Sequence, residues 1–181
     1  MAVRRIHQLG DPVLRVRCEP VQDPKSPAAR LVADDLRDSL HAAKKRYRMG
    51  RAIAAPQIGA PVRIVLVELD KKRWVMVNPE ITDVGPDDFT VWDDCFSFPN
   101  VLVRVNRAYA ITLQYQDLKG KTQTMELTGP MAELLQHEID HLDGILAVDR
   151  AAGVDPFAFR SEWIKRHEPA ERYGPPRPRE A

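Results

Sequence analysis

The run Gln136-His137-Glu138-Ile139-Asp140-His141-Leu142-Asp143-Gly144 constrains this chain more than any other feature. His137 and His141 stand four residues apart, so on a helix they project from one face, about 6 Å apart along the axis, and can grip a single metal ion. Glu138 is rotated off that stripe. The position suits a carboxylate that moves protons beside a metal instead of binding it. Met131, Leu134, Leu135, Ile139, Leu142 and Ile145 supply an apolar stripe, so the histidines fall on a largely buried helix. Buried imidazoles need partners, and one metal ion serves both. The plainer alternative is a chance spacing on an ordinary amphipathic helix, which the apolar setting argues against. A metal-dependent hydrolase is the expectation, with the helix running over residues 130–148.

Catalytic metal sites usually combine three protein ligands with one position left open for water, so a third ligand must lie elsewhere. The HExxHxxGxxH pattern has its glycine here as Gly144, but its third histidine position is Ala147, which excludes that version. A zinc endopeptidase with a distant carboxylate ligand remains open through Glu162 or Glu168, although both sit in a charged segment of the kind that faces solvent. Cys95, in Val-Trp-Asp-Asp-Cys-Phe-Ser-Phe-Pro, is the better candidate. A thiolate with two imidazoles suits a tetrahedral divalent zinc or iron ion. Cys18 reads as a small buried hydrophobe. Two cysteines and no targeting signal argue against a disulfide framework and for a reducing compartment.

Three ordered segments carry a family resemblance. Gly50-Arg51-Ala52-Ile53-Ala54-Ala55-Pro56-Gln57-Ile58-Gly59 is similar to Gly-x-Gly-x-Ala-Ala-x-Gln, Asp93-Asp94-Cys95-Phe96-Ser97 to Glu-Gly-Cys-Leu-Ser, and the helix segment matches Gln-His-Glu-x-Asp-His in full. With the opening Leu9-Gly10-Asp11-Pro12-Val13-Leu14-Arg15, they resemble the peptide deformylases over roughly residues 6–150. Those enzymes remove the formyl group from the starting methionine of new bacterial and organellar proteins.

The resemblance implies that Cys95, His137 and His141 bind one divalent metal and that Glu138 is the acid/base. Fe²⁺ is the implied native ion, with Zn²⁺, Ni²⁺ or Co²⁺ able to occupy the same ligands. It further implies that the Gln57 side chain and the Phe96 backbone N–H donate to the oxygen of the attacked carbonyl. Donors aimed where charge develops stabilise it most at that moment, and a neutral Gln, unlike a carboxylate, does not repel an oxyanion. Gly50, Arg51, Ala52, Asp94 and Glu133 are the implied substrate contacts, while Asp93, Arg107 and Asp140 are expected to hold the ligands in orientation. The implied partner is a formylated peptide N-terminus, met at the ribosome by a monomer.

Departures from the pattern qualify this. Asp94 replaces a glycine, Asp93 a glutamate, Phe96 a leucine, and Ala52 a glycine that would matter if its φ were positive. Arg51 and Glu133 stand where the family has aliphatic residues against the methionine side chain. An unpaired buried charge is expensive, so each is expected to pair, face solvent or meet a polar part of the substrate. Another N-formyl substrate, a zinc endopeptidase, or an inactive relative that binds peptides or metal are the alternatives.

A chain of 181 residues suits one substantial core, read as a catalytic domain over 1–150 with a C-terminal extension over 151–181. The net charge of +1 gives no electrostatic case for nucleic acid or membrane. No apolar run approaches the roughly 20 residues that cross a bilayer, and Met1-Ala-Val-Arg-Arg lacks a signal peptide's apolar stretch, so a cytoplasmic location is expected.

The expected fold is α+β, antiparallel β-sheets packed around a central metal-binding α-helix. Ser26-Pro27 starts a helix whose Leu36, Leu40, Ala43 and Tyr47 keep three-and-four spacing up to Gly50. Strands are expected over 62–68, 73–78, 101–105, 108–116 and 122–127, with Asp117-Leu-Lys-Gly120 as a hairpin turn. Residues 91–99 read as an acidic turn, 156–167 as a short helix, and 173–181 as a disordered Pro/Arg-rich end.

Overall fold

The computed structural model describes residues 2–179. Helix α1 spans Pro27–Tyr47, capped by Ser26, whose hydroxyl accepts from the Ala29 N–H at 3.2 Å. The expected stop at Gly50 comes two residues early, because Arg48 itself adopts the left-handed cap conformation, φ 54°. Lys44, Lys45 and Arg46 in the last turn complement the helix dipole.

Two antiparallel sheets follow. The first contains β1 (Ala52–Ala54), β2 (Ile64–Leu69), β3 (Lys72–Val84), β6 (Ala110–Gln116) and β7 (Thr122–Thr128), in the order β1-β2-β3-β6-β7. The second is β8-β5-β4-β9, from β4 (Asp87–Asp94), β5 (Val101–Ala108), β8 (Phe157–Phe159) and β9 (Arg177–Pro178). Alternation along β2 explains the layering. Ile64 and Leu66 face α1 with Leu36 and Leu40, while Val65 and Val67 face the opposite side with Leu135, Ile139 and Leu142. Each of these buried aliphatic chains contributes about 1.5–3 kcal/mol. Helix α2 (Gly129–Leu142) supplies that opposite face and is enclosed on nearly every side.

Four elements differ from the sequence expectation. Helix α2 ends at Leu142 instead of reaching 148, because Gly144 is left-handed, φ +74°, and so close to the Arg15 backbone that a Cβ would lie 2.6 Å from its carbonyl oxygen. Strand β3 runs on past Pro79 through register shifts between Val77 and Glu80, beside Asn78 at φ 50°. The stretch read as an acidic turn begins with the last four residues of strand β4, whose Phe89, Val91 and Asp93 point inward and Thr90, Trp92 and Asp94 outward. Its four aspartates, two at each end and falling on both faces of the strand, hid the period.

The fourth difference is the C-terminal segment. Residues 157–159 form strand β8 against β5, Arg160–Arg166 form helix α3 with Trp163 buried, and Tyr173 bridges to Val91. The segment read as a disordered end pairs Arg177 and Pro178 with Asp88 and Asp87 as strand β9; Glu180 and Ala181 lie outside the described residues. No helix among the described residues is long and apolar enough to cross a membrane.

Candidate active site

Helix α2 presents the two histidines toward the end of β4. Gln136 fixes its height: the side-chain carbonyl accepts from the Ala108 N–H at 3.0 Å and the amide donates back to the Ala108 carbonyl at 2.9 Å. His137 and His141 then stack edge to face, ring centroids 4.8 Å apart. Cys95 directly follows β4, 2% exposed, with its sulfur 3.2 Å from His141 Nε2. The Ser97 N–H and the Gln57 amide both donate to that sulfur at 3.3 Å.

Asp93 sits beneath His137, one oxygen 2.9 Å from Nδ1. That contact places the neutral ring's proton on Nδ1 and leaves Nε2 as the free donor to a metal. Arg107 donates to Asp93 at 3.1 Å and also to Asp140, and Arg150 grips Asp140 at 2.6 Å. The expected set of Asp93, Arg107 and Asp140 is therefore a connected, buried support under the histidines, extended by Arg150. Burial alone would depress the His137 pKa, but Asp93 outweighs it and holds the ring well above its ordinary value. The same burial, joined by the charge on His137, pushes His141 well below.

The donor atoms of Cys95, His137 and His141 all lie within 4.8 Å of one another and are buried. A sulfur and two imidazole nitrogens form a coherent donor set for one divalent ion. Next to it, one oxygen of Glu138 is buried with no hydrogen-bond partner among the described residues, and burial pushes this carboxyl up to about 7. A second cluster, Asp93, Glu133 and His137, is also compact, but Arg107 and Arg51 already occupy its carboxylates. Glu162 pairs with Lys165 and Arg166 on the surface, and neither it nor Glu168 joins the triad.

Gln57 lies in the 3₁₀ turn Ala55–Ile58 after β1. Its carbonyl accepts from the Ala54 N–H at 2.9 Å, which fixes which end of the amide is NH₂; that end reaches Cys95 and the Ser97 hydroxyl, each at 3.3 Å. Gly50 makes room for Phe96: at φ +95°, a Cβ there would fall 2.0 Å from the ring. Ala52 is an ordinary strand residue paired with Val67, so its replacement of glycine carries no backbone strain.

A cavity of about 550 Å³ collects every residue expected at the site except His141, which closes the triad from behind. Arg51 and Glu133 pair with each other there, at 3.1 Å, and Arg51 also reaches the Tyr173 hydroxyl at 3.3 Å. Burial pushes Glu133 up to about 7. Asp94, expected against the substrate, spends its carboxylate on Arg160, at 2.7 Å, and on Arg172. Both arginines belong to the C-terminal segment, which together with Pro169 and Tyr173 contributes one wall of the cavity. Sequence reading missed these residues. The aspartate in place of glycine beside Cys95 was the available signal, since a new buried charge requires a new partner.

A buried sulfur-and-imidazole donor set with an adjacent unpaired carboxylate, opening on a concave cavity, is the arrangement a mononuclear metal hydrolase requires. The model of the polypeptide deformylase family matches residues 3–156. A peptide deformylase of Heliobacterium modesticaldum is 42% identical over 156 residues, 86% of this chain and 99% of that protein. A peptide deformylase-like protein of Brucella melitensis is 39% identical over 174 residues, 95% of this chain and all of that one. The crystal structure of peptide deformylase from Thermotoga maritima superposes with a TM-score of 0.77 at 31% identity, covering 84% of this chain and 100% of the other. The chain belongs to the polypeptide deformylase family.

Proposed function

We propose that this protein hydrolyses the N-formyl amide of formylmethionyl peptides at the start of newly made proteins, releasing formate and a free amine. Cys95, His137 and His141 would hold one divalent ion, and such an ion, when bound, supplies acidity by lowering the pKa of water to about 7. Glu138 takes the proton of the attacking water and hands it to the departing amine nitrogen. The free oxygen of Glu138 at the cavity floor supports this role. Gln57 Nε2 and the Phe96 N–H donate to the formyl oxygen as it becomes negative, a contribution on the order of 3 kcal/mol per donor in comparable sites. The long contacts of Gln57 Nε2, at 3.3 Å, leave that amide free to turn a hydrogen to a substrate. Asp93 and Arg107 keep His137 in the tautomer that offers Nε2.

The observation that carries the reading is the convergence of Cys95, His137 and His141 beside the unpaired carboxylate of Glu138. Fe²⁺ as native ion, action at the ribosome, a monomeric state and a cytoplasmic location complete the reading. The test is turnover of formyl-Met-Ala-Ser against its acetyl analogue by anaerobically purified, metal-analysed protein. Formyl release should be seen only with the former, and Glu138→Gln should lose about 10²–10⁴-fold in kcat with metal retained. Equal rates in wild type and Glu138→Gln would overturn the assignment.

A further inference from the structure

Four arginines line the cavity above the metal ligands, Arg48, Arg51, Arg160 and Arg172. They face two carboxylates at that level: Glu133 takes Arg51, while Asp94 takes both Arg160 and Arg172. Arg48, which ends α1, is exposed, and its guanidinium has no acidic partner among the described residues. The remaining carboxylates of the lining lie deeper down, Asp93 paired with Arg107 and His137, and Glu138 unpaired beside the metal ligands. The mouth thus keeps an excess of positive charge in a chain whose overall charge is only +1. Concave walls of low polarisability focus such a field on whatever enters.

We propose that this arginine rim selects formylated peptides carrying an acidic side chain in the one or two residues that follow the formylated one. The inference rests on the deformylase reading, because a peptide with its formyl group at the triad must lay its next residues across the rim. Arg160 and Arg172 follow residue 156, where the family match ends, so half of the rim is added to the region the family shares. Asp94, set where the family pattern has glycine, holds that half in place. A concave site of about 550 Å³ receives a peptide strand and not a nucleic-acid duplex.

The experiment uses C-terminally amidated formyl-Met-Glu-Ala, formyl-Met-Gln-Ala and formyl-Met-Lys-Ala with the metal-loaded, full-length protein at low salt. kcat/KM should fall in the order Glu, Gln, Lys, with the extremes on the order of tenfold apart. The spread should shrink as salt approaches about 0.5 M, where the screening length drops well below 10 Å. Arg48→Glu should bring the Glu and Lys peptides within about twofold of each other. Calorimetric binding of the same peptides to Glu138→Gln gives the order independently of turnover. Rates and affinities within twofold for all three peptides, or a preference untouched by Arg48→Glu, would overturn the rim. Absence of turnover with every peptide would instead overturn the deformylase reading, and the calorimetric order would still decide the rim.

Discussion

Replacing Asp94 with Asn removes a charge and keeps the shape, so it isolates the clamp on the C-terminal segment. The Asp94 side chain is 12% exposed and each of its two arginine partners 26% exposed. Removing one member of a fully buried ion pair costs roughly 3–5 kcal/mol. Because both arginines keep partial access to water, about 2–3 kcal/mol is the appropriate figure. At 1.4 kcal/mol per decade, opening of the segment becomes about 30- to 150-fold more frequent. Amide hydrogen exchange over residues 157–173, and tryptic cleavage after Arg160 or Arg166, should accelerate by that factor at neutral pH. The sign with pH is fixed. Burial would raise the Asp94 pKa, but Arg172 and Arg160 outweigh it and hold it below the ordinary carboxylate value. The clamp's contribution is therefore full above the unfolded-state value near 3.9 and is lost as pH falls through the lower folded value. Wild type and Asp94→Asn should converge in strong acid. Exchange in Asp94→Asn within threefold of wild type at neutral pH would refute the clamp.

Two further outcomes are expected. Cys95→Ser should weaken zinc binding by more than about tenfold, measured by competition with a chelator, whereas unchanged affinity would point to a carboxylate third ligand. Metal loading should release protons near neutral pH, because Asp93 keeps the His137 proton on in the metal-free protein against the opposing effect of burial. Calorimetry of zinc binding in two buffers of different ionisation heat counts those protons; affinity should rise with pH, and Asp93→Asn should lower it by about 10–100-fold. No proton release at pH 6.5 would contradict this.

The triad was legible because a one-turn histidine spacing and a lone cysteine in an acidic context carry chemistry in their residue types. The support beneath it, Asp93 with Arg107 and Asp140, was legible only through the family pattern, since nothing in the spacing of charges 14 or 33 residues apart announces a contact. Helix α1 followed its period and its Ser26 cap. Strand β4 escaped because charged residues occupied both its inward and outward positions, Asp93 being buried only by virtue of its partners. The path of the C-terminal segment was illegible for a different reason. Its anchors are three scattered arginines and a tyrosine, and a proline-rich composition describes a chain without partners, whereas here Asp94, Val91 and Asp88 provide them.

One peptide bond separates Asp94, where the tail is tethered, from the sulfur of Cys95. Removing the tail from residue 157 onward would leave the aspartate next to that sulfur without Arg160 and Arg172, and the shortened chain is expected to hold a metal less firmly than the full-length protein.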